Sequence, residues 1–285
     1  MSGQKFIEFY QKVRRDFAEK GFDSPALDAR LLFKSVLNVD DADFITGKDA
    51  AISQEQLEAL SVLINKRLNG EPISRILGQR EFWGMNFKVT AATLDPRPDT
   101  EILVEAALVK FQEKPPQRII DLGTGTGCII ITLLKEFPNA TGVAVDISEE
   151  ALDVARFNAK AHGVVDRLSF VQSNWFENIE GQFDLITSNP PYIPNLDIES
   201  LDVGVRNHDP ILALSGGDDG LDAYRDILRQ IKGHAYPHSY CYLEIGIGQV
   251  PDLMRLVEES NMRVCRIIPD LAGIPRTVEV ACGDK

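Results

Sequence analysis

Residues 183–192 read Phe-Asp-Leu-Ile-Thr-Ser-Asn-Pro-Pro-Tyr, an apolar β-forming run leading straight into an asparagine, two prolines and a tyrosine. Proline has no N–H and holds φ at roughly −65°, so the chain leaves its ladder with carbonyls unpaired and pre-aimed. The side-chain oxygen of Asn189 and the backbone carbonyl of Pro190 then offer two acceptors to the hydrogens of a planar –NH2 group. Pro191 holds the turn and Tyr192 presents a flat face. The arrangement suits a poor nucleophile. An amide nitrogen has its lone pair delocalised into its carbonyl, so alkylating it needs in-line placement and acceptors for the positive charge growing on nitrogen. No strong base is required, because the alkylated nitrogen becomes far more acidic. The bland reading of the same residues is a Pro-Pro turn after a strand.

A second constellation lies upstream. Ile119-Ile120-Asp121-Leu122-Gly123-Thr124-Gly125-Thr126-Gly127-Cys128 is a strand, a glycine loop and a helix start. Glycines there permit tight turns and close approach of a ligand at the helix N-terminus. The spacing is GxGxG, with Cys128 where the dinucleotide fingerprint has its third glycine. Asp121 directly before the loop suits a cationic or amine-bearing ligand better than a pyrophosphate. Asp146 ends the next strand and can accept from both ribose hydroxyls, although capping the helix near Ser148 is the competing reading. Asn174-Trp175 follows the third strand, where an amide and an aromatic could hold an adenine; Trp175 as ordinary core is the alternative. Together these favour S-adenosylmethionine, with NAD a distant second.

The elements that must position these residues fall into two groups. Up to residue 72 the pattern is helical. Phe6, Phe9, Tyr10, Val13 and Phe17 recur at helical spacing, as do Leu27, Leu31, Leu32 and Val36 after Ser24-Pro25. Ser53 with Gln56 opens a third helix through Leu68, closed by Asn69-Gly70. Residues 73–93 read as a linking hairpin around Gly84. From 94 to 285 strands alternate with helices, with strands expected at 118–122, 142–147, 168–172, 183–188, 240–245, 263–268 and 277–281. Helices are expected near 100–112, 127–136, 149–162, 220–232 and 249–259. That alternation specifies an α/β, Rossmann-like, mostly parallel seven-stranded sheet with helices on both faces, preceded by a small all-α bundle and the hairpin.

The composition is that of an ordinary globular chain: 285 residues, 44% hydrophobic and 26% charged. No apolar run approaches the ~20 residues that span a bilayer, and the N-terminus has no signal core, so a cytoplasmic protein without membrane contact is expected. The net charge is −13, with 20 basic and 31 acidic residues beyond position 72. No basic segment is visible, which argues against nucleic acid as a partner. Cys128, Cys241, Cys265 and Cys282 lack metal-ligand spacing and read as buried, reduced thiols; no metal is expected.

Asp121–Gly127, Asp146, Asn174-Trp175 and Asn189–Tyr192 together resemble class I methyltransferases acting on planar –NH2 groups. The segments Glu71–Gly78, Arg80–Trp83, Pro96–Glu101, His208–Leu214, Gly216–Leu221 and Glu244–Gly246 sharpen the resemblance to the release factor glutamine methyltransferases (PrmC/HemK family) over nearly the whole chain. The resemblance implies methyl transfer from S-adenosylmethionine, giving S-adenosylhomocysteine. The acceptor would be the side-chain amide nitrogen (N5) of the glutamine in the GGQ motif of peptide chain release factors, which modulates translation termination. It implies that Asp121, Leu122, Gly123, Thr124 and Gly125 form the cofactor loop, Asp146 holds the ribose, and Asn174 and Trp175 lie beside the adenine. Asn189, Pro190, Pro191 and Tyr192 would hold the glutamine, with Asn189 shared with the cofactor and Asn189, Pro190 and Tyr192 serving the chemistry. Asp95 departs from the family pattern, standing where an aliphatic is expected, and Asp209-Pro210 stands where Glu-Pro is commoner. Arg97 is read as shaping the pocket or pairing with Asp99 or Glu101, His208 as loop hydrogen bonding, Glu244 as ordering the site and Cys128 as packing. The helical bundle is the candidate grip on the partner protein. Alternatives are a glutamine methyltransferase of a ribosomal protein, a DNA or RNA amino-methyltransferase, a NAD-dependent enzyme or a non-catalytic binding module.

Overall fold

A computed structural model describes residues 5–46 and 51–283; the ends of the expected 1–72 and 94–285 regions, and residues 47–50, lie outside the described residues. The chain divides into two compact units, 1–78 and 79–285.

The first unit holds α1 (Phe6–Glu19), α2 (Pro25–Val36), α3 (Asp41–Thr46), α4 (Gln54–Leu68) and α5 (Ile73–Leu77). Its core is aromatic, with Phe6, Tyr10, Phe17, Phe33 and Phe44 buried. Tyr10 meets Phe44 edge-on at 4.8 Å between ring centroids, a geometry that places positive ring edge on negative face. The Ser53–Gln56 capping box forms as expected, but the Ser24 hydroxyl makes no cap bond. On α2, Leu32 is buried and Leu31 and Val36 pack on the core as expected, joined by Ala29 and Phe33, while Leu27 is 52% exposed. Beside Leu27, buried Asp28 pairs with Arg67 at 2.8 Å, whose guanidinium lies 3.7 Å over the Phe22 ring. Residues 73–77, expected in the linker, are helix α5, closed by Gly78 in the left-handed conformation.

The second unit opens with the hairpin β1 (Gln79–Phe82) and β2 (Met85–Lys88), whose two central residues, Trp83 and Gly84, have φ of 53° and 69°. Positive φ at both positions is the turn that matches strand twist. Next come α6 (Glu101–Lys110), β3 (Arg118–Leu122), α7 (Cys128–Glu136), β4 (Thr141–Asp146), α8 (Glu149–Ala161), β5 (Leu168–Gln172) and β6 (Phe183–Ser188). The chain ends with α9 (Val203–His208), α10 (Asp222–His234), β7 (Ala235–Glu244), α11 (Val250–Glu259), β8 (Arg263–Pro269) and β9 (Pro275–Ala281). The sheet order is β5-β4-β3-β6-β7-β9-β8. Pairs from β5 to β7 are parallel and β9 runs antiparallel to both neighbours. β7 begins at Ala235 rather than 240; its pairing with β6 shifts register between Phe183 and Leu185, and Pro237, which has no N–H for a ladder, lies among the extra residues there.

Two cores flank the sheet. Ile120, Ile186, Tyr224 and Leu243 lie in one, and Ile119, Ile130, Leu185 and Tyr242 in the other, so alternate residues of each central strand face opposite sides. The sheet order reverses between β3 and β6. Ligands of open α/β sheets bind outside the carboxyl ends of strands at that reversal. Among the described residues no helix is long and apolar enough to cross a membrane.

Candidate active site

A cavity of about 480 Å³ opens at the carboxyl ends of β3, β4, β5 and β6. Gly123, Thr124, Gly125, Asp146, Asn174, Trp175, Asn189 and Pro191 all line it. Asp121 and Leu122 do not. They are buried beneath the loop, at 1% and 0% exposure.

The loop is built around Asp121. Its two oxygens accept from the hydroxyls of Thr124, at 2.7 Å, and Thr187, at 2.8 Å. Burial pushes its pKa up to about 7 against those hydrogen bonds, with Asp146 adding to the rise. Gly127, in the left-handed conformation, shows why the last glycine is needed: a Cβ there would come within 2.9 Å of Ile131 and 3.2 Å of Ala155. It lets α7 and α8 approach. Gly123, also left-handed, lines the cavity, and a Cβ there would sit in ordinary contact 3.6 Å from the Trp175 ring.

Asp146 is held at the end of β4 by backbone donors. The Gly125 N–H donates to it at 2.9 Å and the Ser148 N–H at 3.0 Å. Ser148, not Asp146, caps α8 through the Ala151 amide. Burial raises the Asp146 pKa against these bonds. Beside it Ile147, 48% exposed, gives the cavity an apolar wall. Trp175 stands at φ 51°, an uncommon conformation for so large a residue, half-buried with one side on the core and another on the cavity. Asn174 donates to Glu177 at 2.8 Å, which leaves its carbonyl oxygen available.

Asn189 follows β6 directly. Its Nδ2 donates to the Thr100 hydroxyl at 3.1 Å, and that hydroxyl donates to Glu244 at 2.6 Å. Among the described residues nothing donates to Asn189 Oδ1 or to the Pro190 carbonyl. Pro190 is buried and Tyr192 half-buried behind the cavity wall. The Tyr192 carbonyl accepts from Gln249 Nε2 at 2.9 Å, and its hydroxyl lies 3.5 Å from Glu244. Gly246 is bare for the same purpose, as a Cβ there would come within 3.0 Å of the Tyr192 ring. Beyond it, Ile193 exchanges hydrogen bonds with Leu214 and Gly216.

Several readings of individual residues change. Arg97 lines the cavity but pairs with Asp209 at 2.7 Å, not with Asp99 or Glu101. Asp99 pairs with Arg276 and Glu101 accepts from the Trp83 amide. His208 ends α9 off the cavity wall, and its ring makes no hydrogen bond among the described residues. Cys128 sits at the start of α7, yet burial pushes its thiol up to about 12, so the helix terminus does not activate it. Cys265 is half-buried rather than buried. Thr93, Leu94 and Thr100 also line the cavity; of the three, Thr100 lies within the distinctive Pro96–Glu101 segment, whereas nothing in the sequence marks Thr93 and Leu94. Among the described residues no group of three His, Cys, Asp or Glu side chains could hold a metal ion.

Residues 94–203 match the family model of the methyltransferase small domain, and residues 8–78 match that of the PrmC N-terminal domain. The release factor glutamine methyltransferase of Bradyrhizobium diazoefficiens is 43% identical over 256 residues, covering 88% of this chain and 86% of its own. That of Agrobacterium fabrum is 39% identical over 270 residues, covering 93% of each. Among solved structures, a methyltransferase from Pyrococcus furiosus superposes with a TM-score of 0.54 at 17% identity, covering 81% of this chain and all of its own, a likeness of fold. The fold is that of a class I methyltransferase, and identity at this level along both units places the chain in the release factor glutamine methyltransferase family.

Proposed function

We propose that this protein methylates the side-chain amide nitrogen (N5) of the glutamine in the GGQ motif of peptide chain release factors, using S-adenosylmethionine. The observation that carries the reading is the pair of unsatisfied acceptors, Asn189 Oδ1 and the Pro190 carbonyl, next to a cavity of cofactor size. A primary amide has two hydrogens to give and fits two acceptors.

The residues present suit the cofactor. Asp146, already fixed by two backbone donors, keeps lone pairs for ribose hydroxyls, while Ile147 and Trp175 form an apolar slot for a flat base. Asp121 acts from below, holding the Gly123–Gly125 turn through Thr124. Bound there, S-adenosylmethionine supplies an electrophilic methyl whose sulfur keeps the bonding pair as S-adenosylhomocysteine forms. Asn189 and Pro190 orient the attacking nitrogen and stabilise its positive charge; Tyr192 gives its π-system a flat neighbour. The nitrogen then loses its proton to water, so orientation and electrostatics supply the rate. The helical unit 5–78 is assigned the grip on the partner protein, in keeping with exposed Leu27, Ile45 and Val62 on its surface.

The test is transfer of labelled methyl from S-adenosylmethionine to an unmethylated release factor. Label should enter the intact factor, fail to enter one whose GGQ glutamine is alanine, and fall on the order of 10²–10³-fold with the Asn189→Ala enzyme. Cofactor binding without label in either factor would overturn the substrate assignment.

A further inference from the structure

Glu244, at the end of β7, is 3% exposed and so closed off from bulk water. A carboxylate can only accept, so the Thr100 hydroxyl must give it its hydrogen across the 2.6 Å contact. Thr100, 2% exposed, is left with lone pairs alone for its other neighbour, and Asn189 must therefore turn its –NH2 toward it, at 3.1 Å. The Asn189 nitrogen thus points inward and Oδ1 is left over. With the amide flipped, its oxygen would face the Thr100 lone pairs and its –NH2 would face the donor it has to bind.

We propose that Glu244, acting through Thr100, is a positioning residue for methyl transfer: it sets the Asn189 amide with nitrogen inward and oxygen toward the acceptor nitrogen. This rests on the function proposed above. The carboxylate also lies 3.5 Å from the Tyr192 hydroxyl. Its negative charge is the essential property. A neutral amide of the same shape can donate as well as accept, which removes the direction from the chain of hydrogen bonds.

The experiment uses full-length enzyme under single-turnover conditions with enzyme in excess, labelled S-adenosylmethionine and unmethylated release factor. Glu244→Gln and Thr100→Val should each slow transfer about 10²-fold, the cost of a misplaced reacting group. S-adenosylhomocysteine affinity should hold, and Thr100→Ser should restore the rate. Adding Glu244→Gln to Asn189→Ala should change nothing further, because the residue it acts through is gone. A wild-type rate in Glu244→Gln or Thr100→Val overturns the proposal. So does an equal loss in the Asn189→Ala background, which is what a merely structural role gives. If Glu244→Gln does not fold, the Thr100 pair carries the same test with the carboxylate in place. A substrate-free readout separates this inference from the function itself. The Asn189 side-chain amide protons, assigned by their loss in Asn189→Ala, should resist exchange in wild type and exchange faster in Thr100→Val. Unchanged protection overturns the positioning role, whereas failure of wild type to label the release factor overturns the substrate assignment alone.

Discussion

The Gly125 amide donates to the Asp146 carboxylate at 2.9 Å, tying the glycine loop after β3 to the end of the neighbouring strand β4. The carboxylate is therefore fixed before any ligand arrives. Asp146 lines the cavity, and under the proposed assignment a ribose would find acceptors there that need no reordering. Asp146→Ala should weaken S-adenosylhomocysteine binding by about 1.5–3 kcal/mol, the range for hydrogen bonds to a charged group. Asp146→Asn, which keeps one acceptor, should lose less. Calorimetry distinguishes them, and equal affinity across all three proteins would remove Asp146 from the ribose site.

Gly123 and Gly127 both have positive φ, yet they should fail differently when changed to alanine. At Gly127 the new methyl would press on Ile131 and Ala155, so the variant should lose on the order of 1–3 kcal/mol of stability from overpacking. At Gly123 the methyl has room but intrudes between the loop and Trp175, so the larger effect should be on cofactor affinity. Chemical denaturation and ligand titration on the same two variants separate the outcomes.

The chain has two tryptophans, Trp83 in the hairpin and Trp175 at the cavity. In a Trp83→Phe protein the emission comes from Trp175 alone. It should change on adding S-adenosylhomocysteine and stay constant with NAD. The reverse pattern would sink the cofactor assignment.

Leu27, Ile45 and Val62 are more than half exposed on the helical unit. Changing all three to glutamate removes apolar contact area without disturbing that unit's core. The release factor KM should rise while S-adenosylhomocysteine affinity and kcat hold. An unchanged KM would leave this surface without a part in recognition.

Much of this architecture is legible in the sequence because local chemistry dictates it. The Ile119–Cys128 strand–loop–helix, the Ser53 capping box and the Asn189–Tyr192 loop each follow from residue types that tolerate few conformations. What was not legible depends on long-range pairing. Arg97 has acidic neighbours at 99 and 101 but takes Asp209, 112 residues away, and Asp28 is buried against Arg67, 39 residues on. Thr100 is inconspicuous in sequence; only folding brings it between Asn189 and Glu244. Trp175 illustrates the middle ground, since its identity was informative while its left-handed backbone was not.

Glu244 and Asp121 give the protein opposing pH dependences of rate and stability. Burial pushes Glu244 up to about 7, helped by Asp99 and opposed by Arg276, Thr100 and Asn189; Tyr192, Tyr224 and Cys128 also feel its charge. Asp121 rises to about 7 as well. Between ordinary carboxylate values near 4 and about 7, the folded state holds protons that the unfolded state has released. Stability should therefore fall as pH rises through this window and level off above it, with Asp146 contributing in the same direction. The rate of methyl transfer should do the opposite, rising through about 7 as Glu244 ionises and orients Asn189. Glu244→Gln should abolish the rise in rate and flatten part of the stability profile. Asp121→Asn should flatten stability in the same range yet leave the rise in rate. Single-turnover rates and denaturation midpoints from pH 5 to 8 measure both, and a wild-type rate that stays flat across the range would dissociate Glu244 ionisation from the orientation of Asn189.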